Sequence, residues 1–287
     1  MARQYVQADQ PPGVPPLALT GERTLPDVPE ENYWYRRHLA VYEWIAGQVA
    51  GERVADLACG EGYGSDVLAA QAAEVVGVDA NPEAHEHARL RYTAPNVRFA
   101  RDLVETFDLV LGHAVLHHIP DLDRAAREFM RVLRPGGTVV FCGEPSAHGD
   151  QIAAWPKRAA VAAAPAWRRV VGASERGDAG GSDPDYGHAL EAEVDVHAFD
   201  PATLRAIFAG AGFEGVRIRG EELLANLYGW MLRTVESTAE PAEIPNGWRQ
   251  FAFRSYLALQ KVDTALLEPR LPPQLFYNLV FSARKPG

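Results

Sequence analysis

The sequence predicts an α/β protein whose mostly parallel sheet is covered by helices on both faces. Three observations carry that expectation. Short apolar runs alternate with helical stretches from residue 53 to 142, a glycine-rich turn follows the first run, and aspartates recur where the runs end. Alternation of this kind builds βαβ units, and a helix crossing between neighbouring strands leaves them parallel.

The elements follow in chain order. Residues 1–30 hold Pro11, Pro12, Pro15, Pro16, Pro26 and Pro29 with little apolar periodicity, and read as a flexible, proline-rich leader. From Glu30, the stretch ENYWYRRHLAVYEWIAGQVAG places Leu39, Tyr42, Ile45 and Val49 at helical spacing, with Gly47 weakening the helix and Gly51 ending it. Strands are expected at Arg53–Leu57, Val75–Val78, Val97–Ala100, Phe107–Gly112 and Thr138–Cys142. Helices are expected between them at Tyr63–Gln71, Pro82–Tyr92 and Leu122–Leu133.

Residues 143–198 break the rhythm. Ile152–Gly172 is alanine-rich, carries Lys157, Arg158, Arg168 and Arg169, and is interrupted by Pro156 and Pro165; ERGDAGGSDPDYG is a loop by composition. Regularity resumes where Asp200 caps a helix that starts at Pro201 and ends at Gly212, followed by a strand at Val216–Arg219. Residues 221–274 read as largely helical, and Phe276–Ala283 is the seventh and last strand. The domain so defined spans 31–287, with its core at 51–142 and cap insertions at about 143–198 and 221–274.

A formal net charge of −10, from 38 acidic and 28 basic residues, argues against a nucleic-acid partner, which is usually met by a basic face. The two cysteines, Cys59 and Cys142, are too few for a disulfide scaffold and read as reduced thiols of a cytoplasmic protein. The N-terminus lacks the apolar core of a signal peptide, and no 18 apolar residues run together, so no membrane span is expected.

The chemistry concentrates at Val54–Ser65, VADLACGEGYGS. Glycines at alternate positions let the backbone bend sharply and approach a ligand, and the following helix offers free N–H groups at its start. Asp79 ends the second strand, 23 residues after Asp56, and Asp102 follows the third, another 23 on. In a βαβαβ sheet all three carboxylates fall at the carboxyl edge beside the crevice where ligands bind. An acid ending strand two can accept from both hydroxyls of a ribose.

On these residues the chain resembles the class I S-adenosylmethionine-dependent methyltransferases, of the type 11/25-like domain. DLACGEGYG at Asp56–Gly64 is similar to that family's first motif and VDA at Val78–Ala80 to its second. FDLV and HHIPD within Phe107–Asp121, and LRPGG at Leu133–Gly137, also look like family motifs. The resemblance implies a Rossmann-like seven-stranded sheet with an antiparallel last strand, and S-adenosyl-L-methionine as cofactor with S-adenosyl-L-homocysteine as product. It implies that Gly60, Gly62 and Gly64 line the methionine part, Asp79 holds the ribose and Asp102 approaches the adenine amino group. The cofactor-facing set extends to Asp56, Ala58, Glu61, Ala80, Leu103 and His113. Only four residues separate Asp102 from Phe107, where the family commonly has a longer stretch, so Glu105 is open to a different placement. The opening TGERTLPDVPEENYWYRRH resembles that of some bacterial sugar- or polysaccharide-modifying methyltransferases.

Two other classes stay open: an NAD(P)-binding oxidoreductase, whose fingerprint G-x-G-x-x-G differs from the G-E-G-Y-G here, and a non-catalytic SAM-binding partner protein. Methyl transfer needs chiefly an aligned nucleophile, with a base where the acceptor is a poorly ionised hydroxyl. His113, His117 and His118 follow strand four and are candidate bases, as are Glu144 and His148 beyond strand five. Their spacing matches no zinc pattern, and no metal is expected. Tyr33, Trp34, Tyr35, Arg36 and Arg37 are candidates to fold over the cofactor, with an arginine near its methionine carboxylate. The basic stretch 152–172 reads as a cap helix over a small-molecule, sugar or lipid-like acceptor, with peripheral membrane contact as the alternative.

Overall fold

Seven strands form one sheet in the order β3-β2-β1-β4-β5-β7-β6. The computed structural model describes residues 6–19, 23–26, 32–176 and 197–287. Strand β1 is Arg53–Leu57, β2 Glu74–Val78, β3 Val97–Ala100, β4 Phe107–His113, β5 Leu133–Pro145, β6 Glu214–Glu221 and β7 Asn278–Arg284. The pairs among β1 to β5 are parallel, whereas β7 runs antiparallel to both β5 and β6. The central strands are buried on both faces, which explains their continuous apolar runs.

Helices cover each face. Helix α1 (Asn32–Ala46) and α2 (Tyr63–Ala69) bury Tyr42, Ile45, Leu68 and Ala69 with Val54, Val75 and Leu111 on one side. On the other, α4 (Leu122–Val132) and α6 (Pro201–Gly210) pack Phe129 and Phe208 against Phe141 and Phe281 of β5 and β7. Helix α3 (Pro82–Arg91) begins where the Asn81 side chain accepts from the Glu83 and Ala84 N–H groups, and Asp200 caps α6 in the same way through Ala202 and Thr203. Helix α1 ends at Ala46 before Gly47, not at Gly51 as the spacing predicts; a glycine followed by a turn stops the helix sooner than the apolar period alone implies.

The cap differs more from its sequence reading. Pro156 and Pro165 do not interrupt α5, which runs unbroken from Ala147 to Val171 between a Ser146 cap and a left-handed Gly172. Burial of Ala160 and Ala164 against Val235, and of Trp167 against Trp248, holds the inner face along its length. Trp155 and Val170 stay exposed on the outer face. Two further helices, α7 (Leu224–Ser237) and α8 (Asn246–Val262), complete this layer, and a π-helical turn at Asp263–Leu267 follows. The Asp263 carboxylate accepts from the Leu224 and Ala225 N–H groups, so it caps α7 from outside its own helix. Within the loop expected at 175–187, residues from 177 on lie outside the described residues. Among the described residues, no helix is long and apolar enough to cross a membrane.

The described parts of the leader, 6–19 and 23–26, are seated on the core. Leu17 and Leu25 are buried. Buried Gln7 accepts from the Leu17 N–H at 3.1 Å and donates to the Pro26 carbonyl and to Glu61, both at 3.3 Å. Proline-rich chain has little backbone entropy to lose, so a few apolar and amide contacts suffice to dock it.

Candidate active site

Three residues of the turn after β1 take left-handed backbone: Ala58 (φ 50°), Gly60 (φ 56°) and Gly62 (φ 101°). The glycines of the motif have different reasons. A Cβ on Gly62 would sit 2.8 Å from the Ala88 Cβ, and one on Gly64 2.7 Å from the Tyr42 Cε2, with the Cζ and Cε1 of that ring closer still. Both positions are reserved for helix packing, against α3 and α1 respectively. Gly60 is different: among the described residues a Cβ there would meet only the Arg23 Cβ, at 3.7 Å, an ordinary packing distance. Gly60 is therefore the glycine of the turn that helix packing does not reserve.

Asp79 lies where β2 ends, partly buried, and accepts from the Gly60 N–H and the Asn81 N–H, both at 2.8 Å. Asp56 is not at the rim. It is fully buried, accepting from Ser65 Oγ at 2.7 Å and Tyr42 Oη at 3.1 Å, and burial raises its carboxyl pKa to about 7. Its hydrogen bonds tie α1 and α2 to β1.

Glu61 also departs from the cofactor-facing role. Its buried carboxylate meets Tyr92 Oη at 2.6 Å, His87 Nε2 at 3.0 Å, the Tyr63 N–H at 3.2 Å and Arg91 Nε at 3.3 Å, besides Gln7. Surrounded by donors from α3 and the leader, it is a structural hub, and nothing of it is left for a ligand. His87 extends the hub, its Nδ1 lying 2.7 Å from the Pro15 carbonyl oxygen.

Asp102 is exposed just past β3, Ala80 is exposed just past Asp79, and Leu103 is packed against the core. Glu105 is drawn to the opposite edge of the sheet. It pairs with Arg53, the first residue of β1, and with Arg98 at 2.6 Å. The short link after Asp102 has to reach the amino end of β4, so Glu105 arrives among the basic residues there.

At the carboxyl end of β4, the sequence candidates separate into working and supporting groups. Glu144 is completely buried and accepts from the Val115 and Leu116 N–H groups at 3.0 Å each and from His117 N–H at 3.2 Å. It also lies 2.8 Å from His117 Nδ1. Burial alone would raise this carboxyl, but the hydrogen bonds from His117 and the backbone outweigh it and hold the pKa below the usual range. With its oxygens taken by three backbone N–H groups and His117, Glu144 fixes the turn 116–118 and orients His117. His118 stacks on His117 at 4.0 Å, and His148 is exposed on the first turn of α5.

His113 keeps a buried polar atom uncommitted. Among the described residues its Nδ1 has no hydrogen-bond partner, and burial with the Arg37 charge lowers its pKa to about 4, so the imidazole is held neutral. The His38 ring, also held well below its usual range by burial, lies 4.3 Å away.

Helix α1 brings Tyr35 to the turn, its ring 4.9 Å from that of Tyr63. The arginines go elsewhere. Arg36 is exposed over Phe253, 5.2 Å to its centroid, and Arg37 pairs with buried Glu222 at 2.8 Å while lying over Tyr256. The side chains of Tyr33 and Trp34 lie outside the described residues.

Residues the sequence reading missed come from this second layer. Tyr42 is periodic core by pattern, and nothing local shows that its hydroxyl holds Asp56. His38 and Asn226 are far apart in sequence. Asn226 is buried, with neither its amide nitrogen nor its oxygen hydrogen-bonded. It shares a face of α7 with Trp230 and Arg233, one and two turns on. Trp230 meets the Tyr277 ring at 5.5 Å, and the Arg233 charge is felt at His38. Among the described residues, no group of three or more metal-ligating side chains is assembled.

A doubly wound sheet with a glycine turn after β1 and an acid ending β2 defines a nucleoside-binding α/β protein. The methyltransferase-domain family matches residues 55–141, from β1 into β5. A Mycolicibacterium smegmatis protein named "Probable S-adenosylmethionine-dependent methyltransferase" is 42% identical over 127 residues, 42% of this chain. The chain spans about half the length of that relative, 49%. The phthiotriol/phenolphthiotriol dimycocerosates methyltransferase of Mycobacterium tuberculosis is 32% identical over 216 residues, 67% of this chain and 75% of that protein. Haemonchus contortus phosphoethanolamine N-methyltransferase 2, solved in complex with S-adenosyl-L-methionine, shares the fold with a TM-score of 0.51 at 16% identity, over 88% of this chain and 53% of that one. The chain belongs to the class I S-adenosylmethionine-dependent methyltransferase family.

Proposed function

We propose that the chain binds S-adenosyl-L-methionine at the carboxyl edge of β1 and β2 and methylates an oxygen of a small-molecule, sugar or lipid-like acceptor. The observation that carries this reading is the pairing of Gly60, which helix packing leaves unreserved, with the Asp79 carboxylate at the mouth of the crevice, in a chain of this family. The donor set suits the cofactor: a carboxylate for the ribose hydroxyls, exposed Asp102 past β3, and an aromatic pair, Tyr35 and Tyr63, beside the turn.

When bound, the cofactor supplies a sulfonium-activated methyl group, whose S–C bond breaks as the new O–C bond forms and leaves S-adenosyl-L-homocysteine. The chain's task is then alignment and proton removal. Neutral His113, its Nδ1 unpartnered among the described residues, accepts the hydroxyl proton as the O–C bond forms and the oxygen becomes acidic. Asn226, with donor and acceptor both unpaired, orients that hydroxyl from the cap side. The cap helices α5, α7 and α8 shape the acceptor pocket and exclude water. The relative named for a triol substrate supports an oxygen acceptor.

The test is to incubate the chain with methyl-labelled S-adenosyl-L-methionine and a mixed metabolite and lipid extract. The expected product is a labelled methyl ether, stable to mild alkali and releasing methyl iodide with hydriodic acid. Label on nitrogen overturns the oxygen assignment. No transfer from a protein that still binds S-adenosyl-L-homocysteine overturns catalysis and leaves the binding-protein reading.

A further inference from the structure

We infer that the outer face of α5 docks the protein on an anionic lipid bilayer, the helix lying along the headgroups with Trp155 at its buried edge. The inference goes beyond the methyl-transfer reading and holds whichever acceptor that reaction takes.

Shape comes first. Helix α5 packs on the cap through one side: Ala160 and Ala164 are buried against Val235, and Trp167 meets Trp248. At about 100° per residue, Ile152, Trp155, Ala159, Ala162, Ala166 and Val170 fall on the opposite side. All six are exposed, Trp155 by 74% and Val170 by 86%. Ile152 and Val170 stand about five turns apart, so the stripe is about 27 Å long. Its middle is alanine, so it lacks the cluster of large side chains on which a protein interface is centred. A tryptophan among small apolar residues suits the boundary between headgroups and acyl chains.

Charge comes second. The 24 residues from Gln151 to Ser174 carry four basic side chains and no acidic one, in a chain of formal net charge −10. Arg158 and Arg169, about three turns apart, border the apolar stripe on one side, and both are exposed. Arg158 lies 5.9 Å from the centre of the Trp155 ring, and Arg169 has no ion pair or hydrogen bond among the described residues. Anionic headgroups attract these arginines and repel the acidic remainder of the chain, which turns α5 toward the bilayer. A nucleic acid would match the arginines and leave the apolar stripe in water. Because alanine buries little apolar area, attachment depends on lipid charge and is reversed by salt.

The test is flotation of the full chain with vesicles of phosphatidylcholine alone and of phosphatidylcholine with about one-third phosphatidylglycerol, at low and high salt. The wild type is expected to partition onto the anionic vesicles at least about tenfold better than onto the neutral ones, and to come off in high salt. Arg158→Gln combined with Arg169→Gln should lower that partitioning about tenfold or more, and Trp155→Ala about three- to tenfold. Arg124→Gln combined with Arg127→Gln, the same charge change at exposed positions of α4, should leave it within about twofold. An unchanged Tm in all three variants separates docking from folding. Partitioning that ignores lipid charge, or that falls equally in the α4 variant, overturns the inference. So does an absence of vesicle binding, including the case in which the chain self-associates and Trp155→Ala makes it monomeric.

Discussion

The two ends of the crevice hold their buried polar groups in different ways. Around the glycine turn, the carboxylates are satisfied by the turn itself and the segments flanking it: Asp56 by Tyr42 and Ser65, Asp79 by Gly60 and Asn81, and Glu61 by Tyr63, His87, Tyr92 and Gln7. Around the cap, the partners are remote: Arg37 pairs with Glu222, His38 faces His113, and Asp263 caps α7. At that end His113 Nδ1 and the Asn226 amide have no hydrogen-bond partner among the described residues. Buried groups without partners cost stability, and such costs are kept where a ligand repays them. The edge at β1 and β2 is closed by its own hydrogen bonds, whereas the cap end keeps uncommitted groups of the kind the proposed acceptor site needs.

That contrast can be broken most severely at Gly64. Gly64→Val would push side-chain atoms into the Tyr42 ring and, with it, the Asp56 anchor. The expected loss is about 3 kcal/mol or more, a fall in Tm of roughly 6–12 °C in a thermal melt. Were the glycine reserved for ligand approach instead, Tm would hold and only S-adenosyl-L-homocysteine affinity would suffer.

Glu144→Gln comes next. An amide nitrogen would face N–H donors that the carboxylate now accepts, so about 2–3 kcal/mol of stability should go, read as a lower denaturation midpoint. Full stability with a large loss in turnover would restore Glu144 to the role of base.

These two sites also show how much was legible. The strand positions of the core, the acid at 79 and the helix cap at Asp200 follow from local period, turn chemistry and spacing, which short segments express by themselves. That Glu61 faces the leader, that Glu105 crosses to Arg53 and that Glu144 serves the backbone does not follow, because each depends on what the fold brings against it. A motif names residue types at a position and leaves open which face they take. The continuous α5 was illegible for a similar reason: inner-face packing by Ala160, Ala164 and Trp167 overrides two prolines whose local effect is to break a helix.

A smaller, pH-dependent effect should appear at Asp56. Its carboxyl titrates near 7 in the folded chain against an ordinary value of 3.8, so the folded state holds the proton more tightly and unfolding releases it between those values. Relative to Asp56→Asn, the wild type is expected to lose stability as pH rises from about 4 to about 7 and to lose no more above that. Urea melts across this range check it; a flat difference would mean that Asp56 is ionised in the folded chain throughout.

The smallest effect is expected at Arg36, whose guanidinium lies over Phe253 at the surface. Arg36→Ala should change S-adenosyl-L-homocysteine affinity by less than about twofold, since an exposed contact of this kind contributes little. A larger loss would bring α1 back over the methionine carboxylate of the cofactor.

The central claim is that Asp79 and the unreserved Gly60 form a nucleoside site for S-adenosyl-L-methionine. Its most direct test is calorimetric titration of the wild type and Asp79→Ala with S-adenosyl-L-homocysteine and, separately, with NADH. One-site binding of S-adenosyl-L-homocysteine is expected, weakened about ten- to a hundredfold in Asp79→Ala, with no NADH binding. Binding of NADH in place of S-adenosyl-L-homocysteine, or an affinity indifferent to Asp79, would contradict the account.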